Sequence, residues 1–467
     1  MKYISTRGGI APISFKEAVM MGLATDGGLL LPERLPMISE QTINSWHNRG
    51  YQDLAFEVIS LFAGDLTPAD LHRLIKNSYA GFRHPEITPV IRQGEVYILE
   101  LFHGPTLAFK DVALQFLGNL FEYFLQADNS RMNILGATSG DTGSAAIYGV
   151  RGKERIKIFI LHPHKRVSPI QELQMTSVLD DNVFNLAIKG TFDDGQAIVK
   201  EIFNDLRFKE RHRLGAVNSI NWARILAQIV YYIYSYFRVC EQEGTDQVDF
   251  SVPTGNFGDI FAGFLAKSLL SSARIRRLVL ATNENDILTR FVEKGDYSTA
   301  KVSQTSSPSM DIQLASNFER YLYYLNDQDA KRTRREMESF AASGALKFDA
   351  ATMQQVKNDF VAQRVMEPEI ISTIKEFHEA NNYVLDPHTA VGVRAGLAHK
   401  DQIPMICLAT AHPGKFGEAV GRAIGRQSLP EALRVLEGKE TRCEVVAAET
   451  AAIRDFIEAH DEHEETL

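Results

Sequence analysis

The chain has 467 residues, 45% hydrophobic and 23% charged, a globular balance that excludes disordered, collagen-like and mucin-like proteins. Its formal net charge of -9 gives no broad basic footprint for nucleic acid, so an anionic ligand has to be held by local groups. Cys240, Cys407 and Cys443 are odd in number and far apart, with no CxxC pair; neither a disulfide framework nor a thiolate zinc site is supported, and a reducing cytoplasm is expected.

At about 150 residues per domain, roughly three domains or subdomains are expected. The opening Met1-Lys2-Tyr3-Ile4-Ser5-Thr6-Arg7 has no apolar core of a signal peptide. Residues 1–90 read as mostly helical, with a glycine turn at Asp26-Gly27-Gly28 before Leu29-Leu30-Leu31-Pro32. From Val96 onward, short apolar strands alternate with amphipathic helices. The strands are expected at 96–101, 133–137, 156–161, 183–188, 250–252, 278–281 and 405–409. Helices are expected at 112–124, 197–206, 225–239, 260–270 and 419–424, the first with Ala113, Phe116, Leu117, Leu120, Phe121 and Phe124 on one face. Such alternation predicts parallel sheets in an α/β fold, with ligands at the carboxyl ends of the strands. The charge-free runs 225–237 and 402–414 have 13 residues each, short of the roughly 20 that a membrane-spanning helix needs. Residues 300–375 read as charged, helical and uninformative. The acidic tail from Glu440 includes His460-Asp461-Glu462-His463, which reads as a solvated terminus and not as a metal site.

Three strand-to-helix junctions carry chemistry. In Phe102-His103-Gly104-Pro105-Thr106-Leu107-Ala108-Phe109-Lys110-Asp111 a lysine follows an apolar run and enters a helix, where desolvation would free its amine as nucleophile or base. Alone, it reads equally as a surface lysine at a helix start. Ala137-Thr138-Ser139-Gly140-Asp141-Thr142-Gly143 offers hydroxyls and free amides at a helix N-terminus, or simply a capped helix start. Thr254-Gly255-Asn256-Phe257-Gly258-Asp259 lets backbone amides approach a phosphate monoester; GxGxxG and the P-loop pattern are both absent. A fourth junction, Thr410-Ala411-His412-Pro413-Gly414-Lys415, follows the last strand. Beyond it, Gly417, Gly421 and Gly425 suggest close helix packing. A poised lysine, two anion loops and a hydroxyl at a strand end together suit pyridoxal phosphate.

These motifs, with Ser5-Thr6-Arg7-Gly8-Gly9, Gly22-Leu23-Ala24-Thr25-Asp26-Gly27-Gly28-Leu29 and Asn218-Ser219-Ile220-Asn221-Trp222-Ala223-Arg224, fall in the order found in a known family. From residue 1 to about 430 the chain resembles the threonine synthases, longer bacterial and fungal branch. The resemblance implies a tryptophan-synthase-β-like α/β fold (pyridoxal-phosphate fold type II): two open parallel-type sheets flanked by helices, plus a mostly helical N-terminal domain. The expected divisions are 1–90, the N-terminal domain; 91–110 with 205–430, the large cofactor-binding domain; 111–204, the small substrate-loop domain; and 431–467, a tail.

By resemblance, Lys110 forms the Schiff base. Gly255, Asn256, Phe257, Gly258 and Asp259 hold the cofactor phosphate, and Thr410 faces the pyridine nitrogen. The implied substrate, O-phospho-L-homoserine, would place its carboxylate at Thr138, Ser139 and Thr142, and its phosphate at Asn218, Ser219 and Arg224. Many relatives in the wider superfamily carry Asn where this chain has Asp141; an ionised carboxylate cannot donate to the cofactor's phenolate, so Asp141 is a cofactor neighbour of unsettled contact. The implied reaction is β,γ-elimination and replacement giving L-threonine and phosphate, in a cytoplasmic enzyme, favoured as a monomer. A dehydratase or β-replacement enzyme of the same fold, or a non-catalytic phospho-ligand binder, are the alternatives. Arg224 counts against the first and the intact lysine motif against the second.

Overall fold

The structure is a computed structural model that describes residues 1–425 and 429–461. Two compact units are present: Met1–Ala113 with Ser219–Ser428, and Leu114–Asn218 with Leu429–Leu467.

The first unit is built on a six-stranded sheet in the order Phe360–Arg364, Ile275–Thr282, Val248–Pro253, Met405–Ala409, Val96–Glu100, Val90–Gln93. Every neighbouring pair is parallel except the last, an antiparallel hairpin turned at Gly94, whose φ of +59° suits glycine. Cys407 stands opposite both Ile98 and Ser251, so Met405–Ala409 is the central link between the strands on either side. Both central strands, Met405–Ala409 and Val248–Pro253, are buried along their whole length, as parallel strands covered on two faces should be. Ser251 donates to the Gly392 carbonyl at 2.6 Å, so its face meets the Pro387–His399 helix. Phe250 points the opposite way and meets Tyr232 edge-on at 4.9 Å. The Trp222–Glu243 helix on that side is buried nearly all round, and it starts with the Asn221 side chain accepting from the Ala223 amide at 3.0 Å.

Residues 1–90 lie in the same compact unit as this sheet. They supply the helices Phe15–Met21, Glu40–Ser45, Tyr51–Ser60 and Pro68–Tyr79, and an antiparallel pair, Tyr3–Ser5 with Leu30–Pro32. Polar contacts anchor them: Trp222 Nε1 donates to Tyr3 Oη at 3.1 Å in the core, and half-buried Arg7 pairs with buried Glu319 at 2.8 Å.

The second unit has a five-stranded parallel sheet in the order Glu444–Val446, Val183–Ile188, Ile156–Pro163, Met132–Ala137, Leu214–Gly215. The expected helix at 197–206 starts earlier, as Phe192–Asn204, because Thr191 and Asp194 form a reciprocal capping box. The expected tail also differs. Glu444–Val446 is an edge strand and Thr450–His460 a helix, because Ile453 and Ile457 form an apolar stripe within the acidic segment and bury it against Phe159, Leu186 and Ile202. In the His460–His463 run, Asp461 accepts from His212 Nδ1 at 2.6 Å and from Asn133 Nδ2 at 2.9 Å, while Glu462 and His463 lie outside the described residues.

One glycine expectation is corrected in the first unit, and another glycine pair emerges in the second. A Cβ on Gly417, Gly421 or Gly425 would meet open space, so that trio does not mark close packing; Gly425, at φ +80°, ends its helix. The close crossing is instead between Gly118 of the Lys110–Ala127 helix and Gly149 of the Asp141–Val150 helix, where a Cβ on Gly118 would lie 2.0 Å from the Gly149 carbonyl oxygen. Gly118→Ala should destabilise the second unit: overpacking costs about 1–3 kcal/mol or more, above the roughly 1 kcal/mol gained in helix propensity. Urea denaturation measures this, and an unchanged or raised midpoint would contradict the crossing.

Candidate active site

Three of the four junctions leave the carboxyl ends of three adjacent parallel strands. The lysine loop follows Val96–Glu100, the glycine loop follows Val248–Pro253, and Thr410 follows Met405–Ala409 between them. The lysine and Thr410 loops are laced by main-chain bonds: Leu101 N to Ala409 O at 3.0 Å, Phe109 N to Thr410 O at 2.8 Å and His412 N to Leu107 O at 3.0 Å. Asp111 is fully buried and receives both the amide and the hydroxyl of Thr106, at 2.8 and 2.7 Å; burial pushes its carboxyl above the ordinary range. Lys415, also buried, donates to the Thr106 carbonyl at 2.8 Å. This frame holds Lys110 at the first turn of its helix, buried, with Nζ 3.4 Å from the Ser309 hydroxyl.

The glycine loop ends in Phe257, at φ 62°, which opens the Gly258–Leu270 helix. The first amides of that helix have no acceptor within it and so are available to an anion. A Cβ on Gly255 would lie 2.7 Å from the Ser309 carbonyl oxygen, so the loop backbone and the Ser309 segment approach as only glycine permits. A cradle of glycines at a helix N-terminus, a buried lysine and a hydroxyl at the neighbouring strand end fit a pyridine aldehyde carrying a phosphate monoester.

Asp259 differs in kind from its loop neighbours. Its carboxylate receives the hydroxyls of Tyr231 at 2.5 Å and Tyr232 at 2.9 Å, and is turned to the Trp222–Glu243 helix. Burial pushes its pKa up to about 6 in spite of both donors.

The loop is tied to the 218–224 segment by residues of the stretch that looked uninformative. Asn317 Nδ2 donates to both the Asn256 and Ser219 carbonyls at 3.2 Å, and Ser316 Oγ bonds Ser219 Oγ at 2.7 Å and Asn256 Oδ1 at 3.2 Å. Arg320, fully buried, donates to Asn317 Oδ1 at 2.5 Å, to the Ile220 carbonyl at 2.5 Å and to the Leu30 carbonyl at 2.9 Å. Arg224 stands apart. It is buried near the start of the Trp222–Glu243 helix, its Nε has no partner, and among the described residues no carboxylate pairs with it. Burial pushes its pKa down to about 10. An uncompensated buried guanidinium is costly unless an anion joins it.

Thr138, Ser139, Asp141, Thr142 and Asn218 belong to the second unit. The Thr138 hydroxyl is turned inward and accepts from the Gly140 and Gly143 amides at 3.0 and 2.9 Å, so it shapes the loop. Ser139 is exposed, and Thr142 and Asn218 are half-buried. Asp141 accepts from Gln171 Nε2 at 2.7 Å.

Sequence reasoning missed Ser309, Asn317, Arg320, Asp386 and His388. The Asp386-Pro387-His388-Thr389 run was a usable signal, since Asp followed by Pro marks a helix start; the Asn317 and Arg320 contacts had none.

Asp259 also sets a pH test. Its folded pKa is raised from 3.8 to about 6, so the folded chain binds the extra proton and stability falls as pH rises through that window. Relative to Asp259→Asn, the wild type should lose roughly 3 kcal/mol between about pH 4 and pH 6, read by urea denaturation at each pH. A pH-independent difference would contradict it.

Comparison with known proteins agrees with this geometry. A family model described as "Pyridoxal-phosphate dependent enzyme" matches residues 83–405, flanked by "Threonine synthase N terminus" at 2–79 and "Threonine synthase, C-terminal" at 389–457. The chain is 48% identical to a threonine synthase of Schizosaccharomyces pombe, covering 92% of this chain and 90% of that one. It is 45% identical to that of Pseudomonas aeruginosa, covering 98% of each. Among solved structures, pyridoxal-phosphate-bound threonine synthase from Brucella melitensis superposes with a TM-score of 0.95 at 42% identity, over 99% of this chain and 100% of that one. On its near-complete length and its shared fold, this chain belongs to the threonine synthase family.

Proposed function

We propose that this chain converts O-phospho-L-homoserine and water into L-threonine and phosphate, as a carbon–oxygen lyase with pyridoxal 5'-phosphate as cofactor. The observation that carries the substrate reading is Arg224, a buried guanidinium with no counter-ion among the described residues, in the first turn of the helix that follows the segment of Asn218 and Ser219. A planar fork of donors suits a phosphate dianion, which serine or threonine as substrate would not supply.

Lys110 Nζ would hold the cofactor's aldehyde carbon, and the amides of Gly255, Asn256, Phe257, Gly258 and Asp259 its phosphate. Thr410 has both backbone groups engaged, its N–H with Thr389 Oγ1 at 3.2 Å and its carbonyl with Phe109 N at 2.8 Å, which leaves its hydroxyl to meet the ring nitrogen. A neutral hydroxyl there does not force a proton onto the ring. When bound, the cofactor supplies an electron sink that makes the substrate's α hydrogen acidic. Lys110 then takes the α proton, moves the β proton, and returns protons to the γ and α carbons. Arg224, Ser219 and Asn218 hold the phosphate before and as it leaves, beside the β carbon where water adds. Thr138, Ser139 and Thr142 hold the carboxylate. Asp141, whose carboxylate accepts from Gln171, would stand in that loop as a neighbour of the cofactor. A monomeric, cytoplasmic enzyme is part of the same proposal, with sedimentation of the purified holoenzyme as the check on its size.

The deciding experiment incubates the purified holoenzyme with O-phospho-L-homoserine and assays both inorganic phosphate and threonine; phosphate without threonine would reject the reading. Lys110→Ala should abolish turnover, and borohydride should fix the cofactor on the peptide containing Lys110 and on no other lysine. Arg224→Ala should cost roughly 1.5–3 kcal/mol, about 10- to 150-fold in kcat/KM, with the visible cofactor band intact. Arg224→Lys should recover only part of this, because a point charge cannot reproduce the fork. Unchanged kinetics in both Arg224 variants would remove the case for a phosphorylated substrate.

A further inference from the structure

Asp386 caps the Pro387–His399 helix and is buried, and two chains of contacts leave it. Its Oδ1 receives His388 N at 2.9 Å and His388 Nδ1 at 2.8 Å, while Oδ2 receives Thr389 N at 3.2 Å and the Thr389 hydroxyl. His388 Nε2 in turn accepts the Ser309 amide at 3.2 Å. An imidazole that accepts at Nε2 carries its proton on Nδ1, so Asp386 sets the tautomer that seats Ser309. Ser309 presents its hydroxyl to Lys110 Nζ at 3.4 Å and its carbonyl to the backbone of Gly255. On the other branch, Thr389 Oγ1 accepts the Thr410 amide at 3.2 Å.

The helix bearing Asp386 cannot shift relative to the sheet without losing close contacts. A Cβ on Gly392 would lie 3.0 Å from the Pro253 ring, and one on Gly396 2.6 Å from Cys407 Sγ. The carboxylate is therefore a fixed point beneath both the lysine and the Thr410 loops.

We propose that Asp386 and His388 are positioning residues for the reaction: through Ser309 they hold the Lys110 amine in one orientation, while through Thr389 the same carboxylate fixes Thr410. Ser309 thereby becomes a hydrogen-bond partner that keeps Lys110 aligned as it carries protons. This rests on Lys110 being the cofactor lysine and proton carrier, and it assigns work to a buried Asp-His pair that lies outside the three loops.

The test is a double-mutant cycle on the holoenzyme with Ser309→Ala and His388→Phe; phenylalanine keeps a ring against Phe416, which meets His388 at 4.9 Å. Each single variant should lower kcat by about 10-fold while KM for O-phospho-L-homoserine stays within about twofold, since one hydrogen bond to the amine is lost and no substrate contact is. The pH midpoint of the visible cofactor band should fall in both, because losing an acceptor disfavours the protonated nitrogen of Lys110. The double variant should be no worse than the more damaged single one, and Ser309→Thr, which keeps the hydroxyl, should stay near the wild-type midpoint. Fully additive losses, wild-type behaviour in both singles, or a kcat loss with an unmoved midpoint would each overturn the proposal. If His388→Phe fails to fold, His388→Asn takes its place in the cycle, because it keeps a donor for Asp386 but is too short to accept from the Ser309 amide. Wild-type protein that lacks the visible band, or whose borohydride label falls on another lysine, would overturn the cofactor reading and this inference together. An active wild type with unaffected variants would overturn only the inference.

Discussion

Everything in the first unit depends on Met405–Ala409 lying between Val96–Glu100 and Val248–Pro253 with all three strands parallel. Parallel neighbours end on the same side, so the lysine, the glycine cradle and the Thr410 hydroxyl emerge together although they are far apart in the chain. The Asp249 carboxylate, at the start of its strand and fully buried, is closed off by Arg276 at 2.5 Å and Arg277 at 2.8 Å. That end of the sheet is structural, and the other end carries the loops.

Two buried arginines separate scaffold from site. Arg320 is fully enclosed, and burial pushes its pKa down to about 9, yet its guanidinium is saturated by the Leu30 and Ile220 carbonyls and Asn317. It stabilises the junction of the N-terminal residues with the 218–221 segment by satisfying carbonyls that would otherwise be buried unpaired. Arg224 has the same burial and no such saturation. Desolvating a charge and leaving it unsatisfied is tolerated where a ligand completes the site. The contrast singles out Arg224 more firmly than its place in a motif does.

The N-terminal signature has a related role. Thr6 Oγ1 and Arg7 both bond Glu319, at 2.6 and 2.8 Å, directly before Arg320. Residues at the start of the chain thus fix the helix that carries Arg320, and through Asn317 they reach both Ser219 and Asn256. The glycine loop and the segment leading to Arg224 are held as one piece.

Local chemistry made much of this protein legible in advance. Val183–Ile188 and Met405–Ala409 have the bounds their apolar runs suggested, because strands buried on both faces cannot hide in a polar sequence. The loops at 102–111, 137–143, 254–259 and 410–415 were readable because glycine, hydroxyl and lysine at a strand-to-helix junction have few other uses. What only tertiary structure decided was which distant residues meet. Lys110 and Ser309 are 199 residues apart, Ser309 and His388 79, and Arg320 and Leu30 290. Such contacts leave no periodicity in the chain, because partners across a fold are chosen by strand order and helix packing and not by neighbours in sequence. The same holds for the residues around Asp461 and for Gly118 against Gly149, where a missing side chain matters only because another backbone lies 2.0 Å from where its Cβ would be. Residue types and their spacing thus determined the chemistry available to this chain, and the parallel sheet decided which groups stand together to perform it.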